Sequence, residues 1–182
     1  MLKTTDILDE KEKILRTKSK EVTFPLDNEE KKAIDDMMTY LLDSQDEEKA
    51  EKYNLRPGMG MSAIQLGIPK RIFVMAMEMD DKSFKKRIFI NPEIVSYSSE
   101  MIYVEESEGC LSVNRPVFGI IPRHARVTLK YFNEKGEEVV ERFRELESVL
   151  IEHELDHLEG ILFVDRIDPK NPFKDISKYR AI

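Results

Sequence analysis

Apolar positions in this chain change period along its length, and the changes lay out its elements. From Asp27 to Leu42 they recur every three to four residues, with Ile34, Met37, Met38, Leu41 and Leu42 on one face, which predicts a helix. Asp27 and Glu30 form a capping-box-like pair at its start, just past Pro25. The methionine pair reads as gap-filling core. Upstream, residues 1 to 24 offer only short helical turns around Ile7 and Leu8 and around Ile14 and Leu15, an N-terminal wrap.

Asp43 to Arg56 is charged and poor in apolar residues, a surface excursion with a helical turn through Asp46 to Tyr53. The period then shortens. Arg71 to Met77 and Arg87 to Pro92 read as strands separated by the polar turn Asp80 to Ser83, with Pro92 closing the second. Glu93 to Tyr97, Met101 to Val104, Ala125 to Phe132 and Glu137 to Phe143 are further strands, the last two a hairpin through Asn133-Glu134-Lys135-Gly136. Helical spacing returns in Leu146, Val149, Leu150, His153 and His157, with Gly160 as the stop, and Ile161 to Ile167 is expected to return as a strand. Strands on both sides of one late helix predict an α+β fold, mainly antiparallel sheets packed around a central helix. With no repeat and no linker-like stretch, one domain over residues 1–182 is expected.

Composition narrows the classes. An apolar content of 41% with 36% charged residues describes a soluble chain with a sizeable core, and no apolar run approaches membrane-spanning length. The net charge of −7 disfavours unaided nucleic-acid binding, and the weakly basic stretch from Lys170 to Arg180 reads as solvated surface. A single cysteine excludes an internal disulfide, and the first residues lack the features of a secretory signal, so the cytoplasm is the expected location.

Two of the three histidines fall in His153-Glu154-Leu155-Asp156-His157, a His-Glu-x-x-His pattern. On a helix these histidines lie roughly 6 Å apart along the axis and offset by about 40°, so both imidazoles can reach one metal ion. Glu154 is turned about 100° from His153, which leaves its carboxylate free for the general-base role of this motif in metallohydrolases.

Hydrolytic sites of this kind use three protein ligands and keep one position open. The extended motifs that supply a third histidine or a downstream glutamate are missing, since position 163 is Phe and residues 160 to 182 hold neither Glu nor His. The one cysteine, Cys110 in Glu108-Gly109-Cys110-Leu111-Ser112, is the candidate third ligand, beside a glycine that permits close backbone approach. A thiolate with two imidazoles suits iron(II) or zinc. Gly58 and Gly60 flank Met59, a second place where backbone can approach closely. His124, the spare histidine, is expected at a strand start rather than on the ion.

Gly58-x-Gly60-x-x-Ala63-x-Gln65, Glu108-Gly109-Cys110-Leu111-Ser112 and His153-Glu154-x-x-His157 stand in the order of the three motifs of the peptide deformylases, and they span most of the chain. The charged excursion from Asp43 to Arg56 and the strand-like final segment resemble the subtype common in Gram-positive bacteria. One departure is clear: the family usually reads Gly-Leu-Ala-Ala-Pro-Gln where this chain has Gly60-Met61-Ser62-Ala63-Ile64-Gln65.

The resemblance implies removal of the formyl group from N-terminal formylmethionine of nascent polypeptides, with release of formate. It implies one divalent ion on Cys110, His153 and His157, iron(II) foremost and zinc, nickel or cobalt as alternatives. Glu154 would be the base, with the Gln65 side chain and the Leu111 backbone N–H as oxyanion donors. Met59, Gly60, Glu108, Gly109, Val149 and Leu150 would form the substrate site, and Asp156 would pair with Arg123. The implied partners are N-formylmethionyl nascent peptides and, as a candidate, the ribosome near its exit, for a monomer that binds neither nucleic acid directly nor membrane. The competing readings are a metallopeptidase of another class, a structural metal domain and a weakly active deformylase paralogue.

Overall fold

A computed structural model describes residues 1–182. Its helices are α1 (Asn28–Ser44), α2 (Glu47–Tyr53) and α3 (Leu146–Leu158). The strands in chain order are β1 (Gly60–Ser62), β2 (Ile72–Glu78), β3 (Phe84–Tyr97), β4 (Met101–Tyr103), β5 (Arg123–His124), β6 (Arg126–Phe132), β7 (Glu138–Arg144) and β8 (Arg180–Ala181). An antiparallel sheet runs β1-β2-β3-β6-β7, and a smaller one runs β5-β4-β8 with a parallel β4–β8 pair. The fold is the expected α+β arrangement.

Both faces of β2 are covered. Ile72, Val74 and Ala76 share a core with Ile34, Met37 and Leu41 of α1, while Phe73 and Met75 share one with Phe89, Phe143 and the α3 residues Leu150, Ile151 and Leu158. A strand buried on both sides reads as an unbroken apolar run, which is the pattern from Ile72 to Ala76. The Phe73 and Phe89 rings stack at 4.4 Å, tying adjacent strands beneath α3.

Asp27 caps α1 as expected, its carboxylate accepting from the Glu30 N–H at 2.8 Å while Glu30 accepts from the Asp27 N–H. α3 buries nine of its thirteen residues, among them His153, Glu154, Asp156 and His157. Each of these ionisable groups therefore needs a partner inside the protein. Gly160 ends the segment at φ +75°, and a Cβ there would lie 2.7 Å from the backbone of Arg16, so a side chain has no room.

Two expectations are corrected. Pro92 does not close a strand: β3 continues through it, with register shifts against β6 between Ile90 and Glu93 and between Ile94 and Ser96. Asn91 absorbs the irregularity at φ +48°, its amide bonding both the N–H and the carbonyl of Val22, so the proline sits where no ladder donor is required. Ile161 to Ile167 is not a strand either. Phe163–Arg166 forms a 3₁₀ turn in which the Asp165 carboxylate accepts from the Leu162 N–H at 2.8 Å, and Phe163 turns into the core beside Cys110.

Candidate active site

α3 and the loop between β4 and β5 meet over the buried end of the helix. The His153 and His157 rings lie 5.1 Å apart, one turn from each other on α3. Cys110 Sγ reaches within 3.3 Å of His157 Nε2, and one ligand atom from each of the three residues lies within 4.8 Å of the others. Metal–sulfur and metal–nitrogen bonds of about 2.3 and 2.0 Å at tetrahedral angles imply ligand separations of about 3.5 Å, so the donors fit one ion. His124 is not among them; it sits at β5 with Nδ1 2.8 Å from the Glu152 carboxylate.

A buried charge network holds the ligands in place. His153 Nδ1 lies 2.7 Å from Glu108 Oε2, which fixes the ring and leaves Nε2 as the ligand atom. Arg123 donates to both oxygens of Glu108 at 2.8 and 3.0 Å and to Asp156 at 2.6 Å, and Arg166 Nε donates to Asp156 at 2.8 Å. The expected Arg123–Asp156 pair is present, with Glu108 as a third member that the sequence did not reveal. The Glu108 carboxylate is paired with Arg123 and His153, while the residue also lines the cleft. The Phe163 ring stacks on His153 at 5.7 Å.

Electrostatics follow from this arrangement. Burial raises the Glu108 carboxyl, but the Arg123 charge and the bonds from His153 and Arg123 outweigh it and hold the group at about 2. Burial would also raise the Cys110 thiol, and the His157 and His153 imidazoles more than reverse that, favouring thiolate. His153 is pulled down by burial and pushed up further by the Cys110 and Glu108 anions.

Glu154 lies beside these donors. Its side chain is buried, Oε2 is 2.6 Å from the Ser62 hydroxyl, and burial raises its carboxyl above the ordinary range despite the nearby histidines. A Cβ on Gly60 would lie 2.6 Å from Glu154 Oε1, and one on Gly58 would lie 2.8 Å from the Leu111 side chain, so both glycines serve the expected close approach. Gly109 does not: a Cβ there would meet nothing within 4 Å, which leaves open space on the wall of the site.

Gln65 is oriented at both ends. Its oxygen accepts from the Ser62 N–H at 2.9 Å, and its nitrogen donates to Ser112 Oγ at 3.0 Å and lies 3.8 Å from Cys110 Sγ. The Leu111 N–H has no hydrogen-bond acceptor in the chain. Arg56 was not singled out in the sequence, yet its guanidinium donates to the carbonyls of Cys110, Val113 and Leu111 at 3.1, 3.2 and 3.3 Å and to the Asn114 side chain. Gln45 was missed as well; its side-chain nitrogen is shared among the Leu41, Gly58 and Ala76 carbonyls at 2.9 to 3.1 Å.

These groups border a cleft of about 460 Å³. Met59, Gly60, Glu108, Gly109, Val149 and Leu150 all line it, together with Gln65, Cys110, Leu111, His153 and Glu154. Val104 and Leu146 add apolar wall that the motifs did not mark.

A thiol and two imidazoles at one buried point, with a separate glutamate facing the same cleft, match the donor set of a mononuclear metallohydrolase centre. The family model of polypeptide deformylase matches residues 4–173. Peptide deformylase 2 of Bacillus anthracis is 40% identical over 173 residues, 95% of this chain and 94% of that one. The peptide deformylase of Lactiplantibacillus plantarum is 43% identical over 176 residues, 95% of each chain. A Met-Ala-Ser-bound class I type b peptide deformylase from Acinetobacter baumannii superposes with a TM-score of 0.71 at 30% identity, over 88% of this chain and 96% of that one. The chain belongs to the polypeptide deformylase family, metal-dependent hydrolases that remove the N-terminal formyl group from formylated nascent polypeptides and release formate.

Proposed function

We propose that residues 1–182 form one catalytic domain that deformylates N-formylmethionyl peptides, with Cys110, His153 and His157 holding the ion and Glu154 acting as general base. The observation that carries this reading is that three ligand atoms lie within 4.8 Å of one another while Glu154 stands apart from them on the same cleft. The thiolate and imidazole set suits iron(II) or zinc; the family resemblance puts iron(II) foremost, with zinc, nickel or cobalt as alternatives. When bound, such an ion supplies Lewis acidity and lowers the pKa of a water molecule to about 7.

The protein's own groups do the rest. Glu154 accepts a proton from the attacking water and delivers it to the departing amine, a role worth about 10²- to 10⁴-fold. Charge that grows on the formyl oxygen meets the unpartnered Leu111 N–H and the Gln65 side-chain amide, whose long contact to Cys110 Sγ gives way readily. Each such donor contributes about 2.7 to 4 kcal/mol. The methionine side chain lies against Met59, Leu111, Val149 and Leu150, with Gly109 leaving room for the peptide backbone and Gly60 leaving room for the Glu154 carboxylate. The Acinetobacter relative that holds Met-Ala-Ser supports a tripeptide beginning with methionine as ligand here.

The chain works as a monomer in the cytoplasm, where formylated chains emerge near the ribosomal exit. No helix is long and apolar enough to cross a membrane, and a net charge of −7 disfavours direct nucleic-acid binding. Mass spectrometry of formyl-Met-Ala-Ser and of a longer blocked peptide tests the reading. Loss of formyl alone is expected, and cleavage of internal amide bonds would identify a metallopeptidase of another class.

A further inference from the structure

Ser62 stands where the deformylase pattern carries alanine. Its hydroxyl is fully buried, 2.6 Å from Glu154 Oε2 and 3.3 Å from the Glu154 carbonyl oxygen. A hydroxyl has one proton to donate, and the nearer carboxylate oxygen is the stronger acceptor. The other oxygen, Oε1, lies against Gly60, where a Cβ would approach to 2.6 Å. Oε2 is thus engaged with protein, while Oε1 lies beside a residue of the cleft wall.

Ser62 is itself held firmly. It closes β1, opposite Phe73 of β2, and its N–H donates to Gln65 Oε1 at 2.9 Å. The glutamate, by contrast, has three side-chain torsions to fix, and a single charge-assisted hydrogen bond from a rigid strand restricts all of them. This chain also has Ile64 where the pattern carries proline, so its first motif lacks that ring and has the Ser62–Glu154 tie.

We infer that Ser62 is a positioning residue in this chain: its hydroxyl holds the Glu154 carboxylate in one rotamer, with Oε1 left free for proton transfer. The inference rests on Glu154 being the general base. Alanine is smaller than serine and is the family's own residue at this position, so Ser62→Ala retains the fold.

The test is a kinetic square of the unaltered protein, Ser62→Ala, Glu154→Ala and the double variant, read as formate release, with metal content and thermal midpoint on the same preparations. Ser62→Ala is expected to lower kcat about tenfold, with KM, metal content and midpoint unchanged. In the Glu154→Ala background the same change is expected to alter the residual kcat less than about twofold, because the hydroxyl acts only through the carboxylate. An unchanged kcat for Ser62→Ala, an equal loss in both backgrounds, or a loss of metal would overturn the inference. Full activity of Glu154→Ala would instead overturn the base assignment beneath it.

Discussion

Replacing Arg123 with Gln is expected to destabilise the protein more than replacing Asp156 with Asn, although both changes remove the same hydrogen bond. Arg123, Glu108 and Asp156 have side chains only 3%, 5% and 8% exposed, whereas Arg166, the outer member of the network, is 45% exposed. Two carboxylates face two guanidinium groups. Without Arg123, two buried carboxylates keep only His153 and the half-exposed Arg166, a case near the top of the roughly 3 to 5 kcal/mol range for a buried charge left unpaired. Without the Asp156 charge, Arg123 keeps both bonds to Glu108 and Arg166 can turn to water, so a loss nearer about 2 kcal/mol is expected.

In a chain of this size each kcal/mol moves the thermal midpoint by about 2 to 4 °C. The expected drops are therefore about 10 to 20 °C for Arg123→Gln and about 4 to 8 °C for Asp156→Asn. Metal retention should also weaken in Arg123→Gln, by about 10- to 100-fold, because Glu108 orients the His153 ring. Calorimetry of both single variants and the double variant is the assay. Losses that add to within about 0.5 kcal/mol, or a larger loss for Asp156→Asn, would refute the charge argument.

Cys110→Ser is expected to lose most bound metal and most formate release, since an alcohol does not ionise as a coordinated thiol does; full metal occupancy by elemental analysis would return Cys110 to a packing role. Glu108 sits near 2 when folded and about 4.3 when unfolded. The depressed value gives stability of order 3 kcal/mol that is full above about pH 4.5 and is lost as pH falls toward 2. Glu108→Gln should flatten the acid limb of a midpoint-against-pH curve, and an unchanged limb would count against it. Arg56→Ala should lower kcat about tenfold with little change in KM, because the guanidinium braces the carbonyls around the Leu111 N–H; Arg56→Lys, with one point charge, should restore little. A purely KM effect would make Arg56 a substrate contact.

The parts of this site readable in the sequence were those set by local geometry. A four-residue spacing on a helix brings His153 and His157 together whatever surrounds them, and the lack of another donor downstream pointed to Cys110. Long-range partners left no such trace. Glu108 reaches His153 across 45 positions, and Arg56 reaches the Cys110 carbonyl across 54, through bonds to backbone that any sequence presents. The course of β3 through Pro92 depends on Asn91 meeting Val22, a contact between distant segments. Ile161 to Ile167 has a strand-like apolar content because Phe163 fills the core beside Cys110, not because it pairs with a neighbour.

The proposed division of roles, Glu154 moving the proton while Cys110, His153 and His157 hold the ion, is tested most directly by Glu154→Ala, purified without oxygen, with metal content and formate release from formyl-Met-Ala-Ser measured on one preparation. Close to one ion per chain with formate release reduced about 10²- to 10⁴-fold is the predicted result. Loss of metal in step with activity would make Glu154 part of the metal site, and full activity with metal retained would remove it from the reaction.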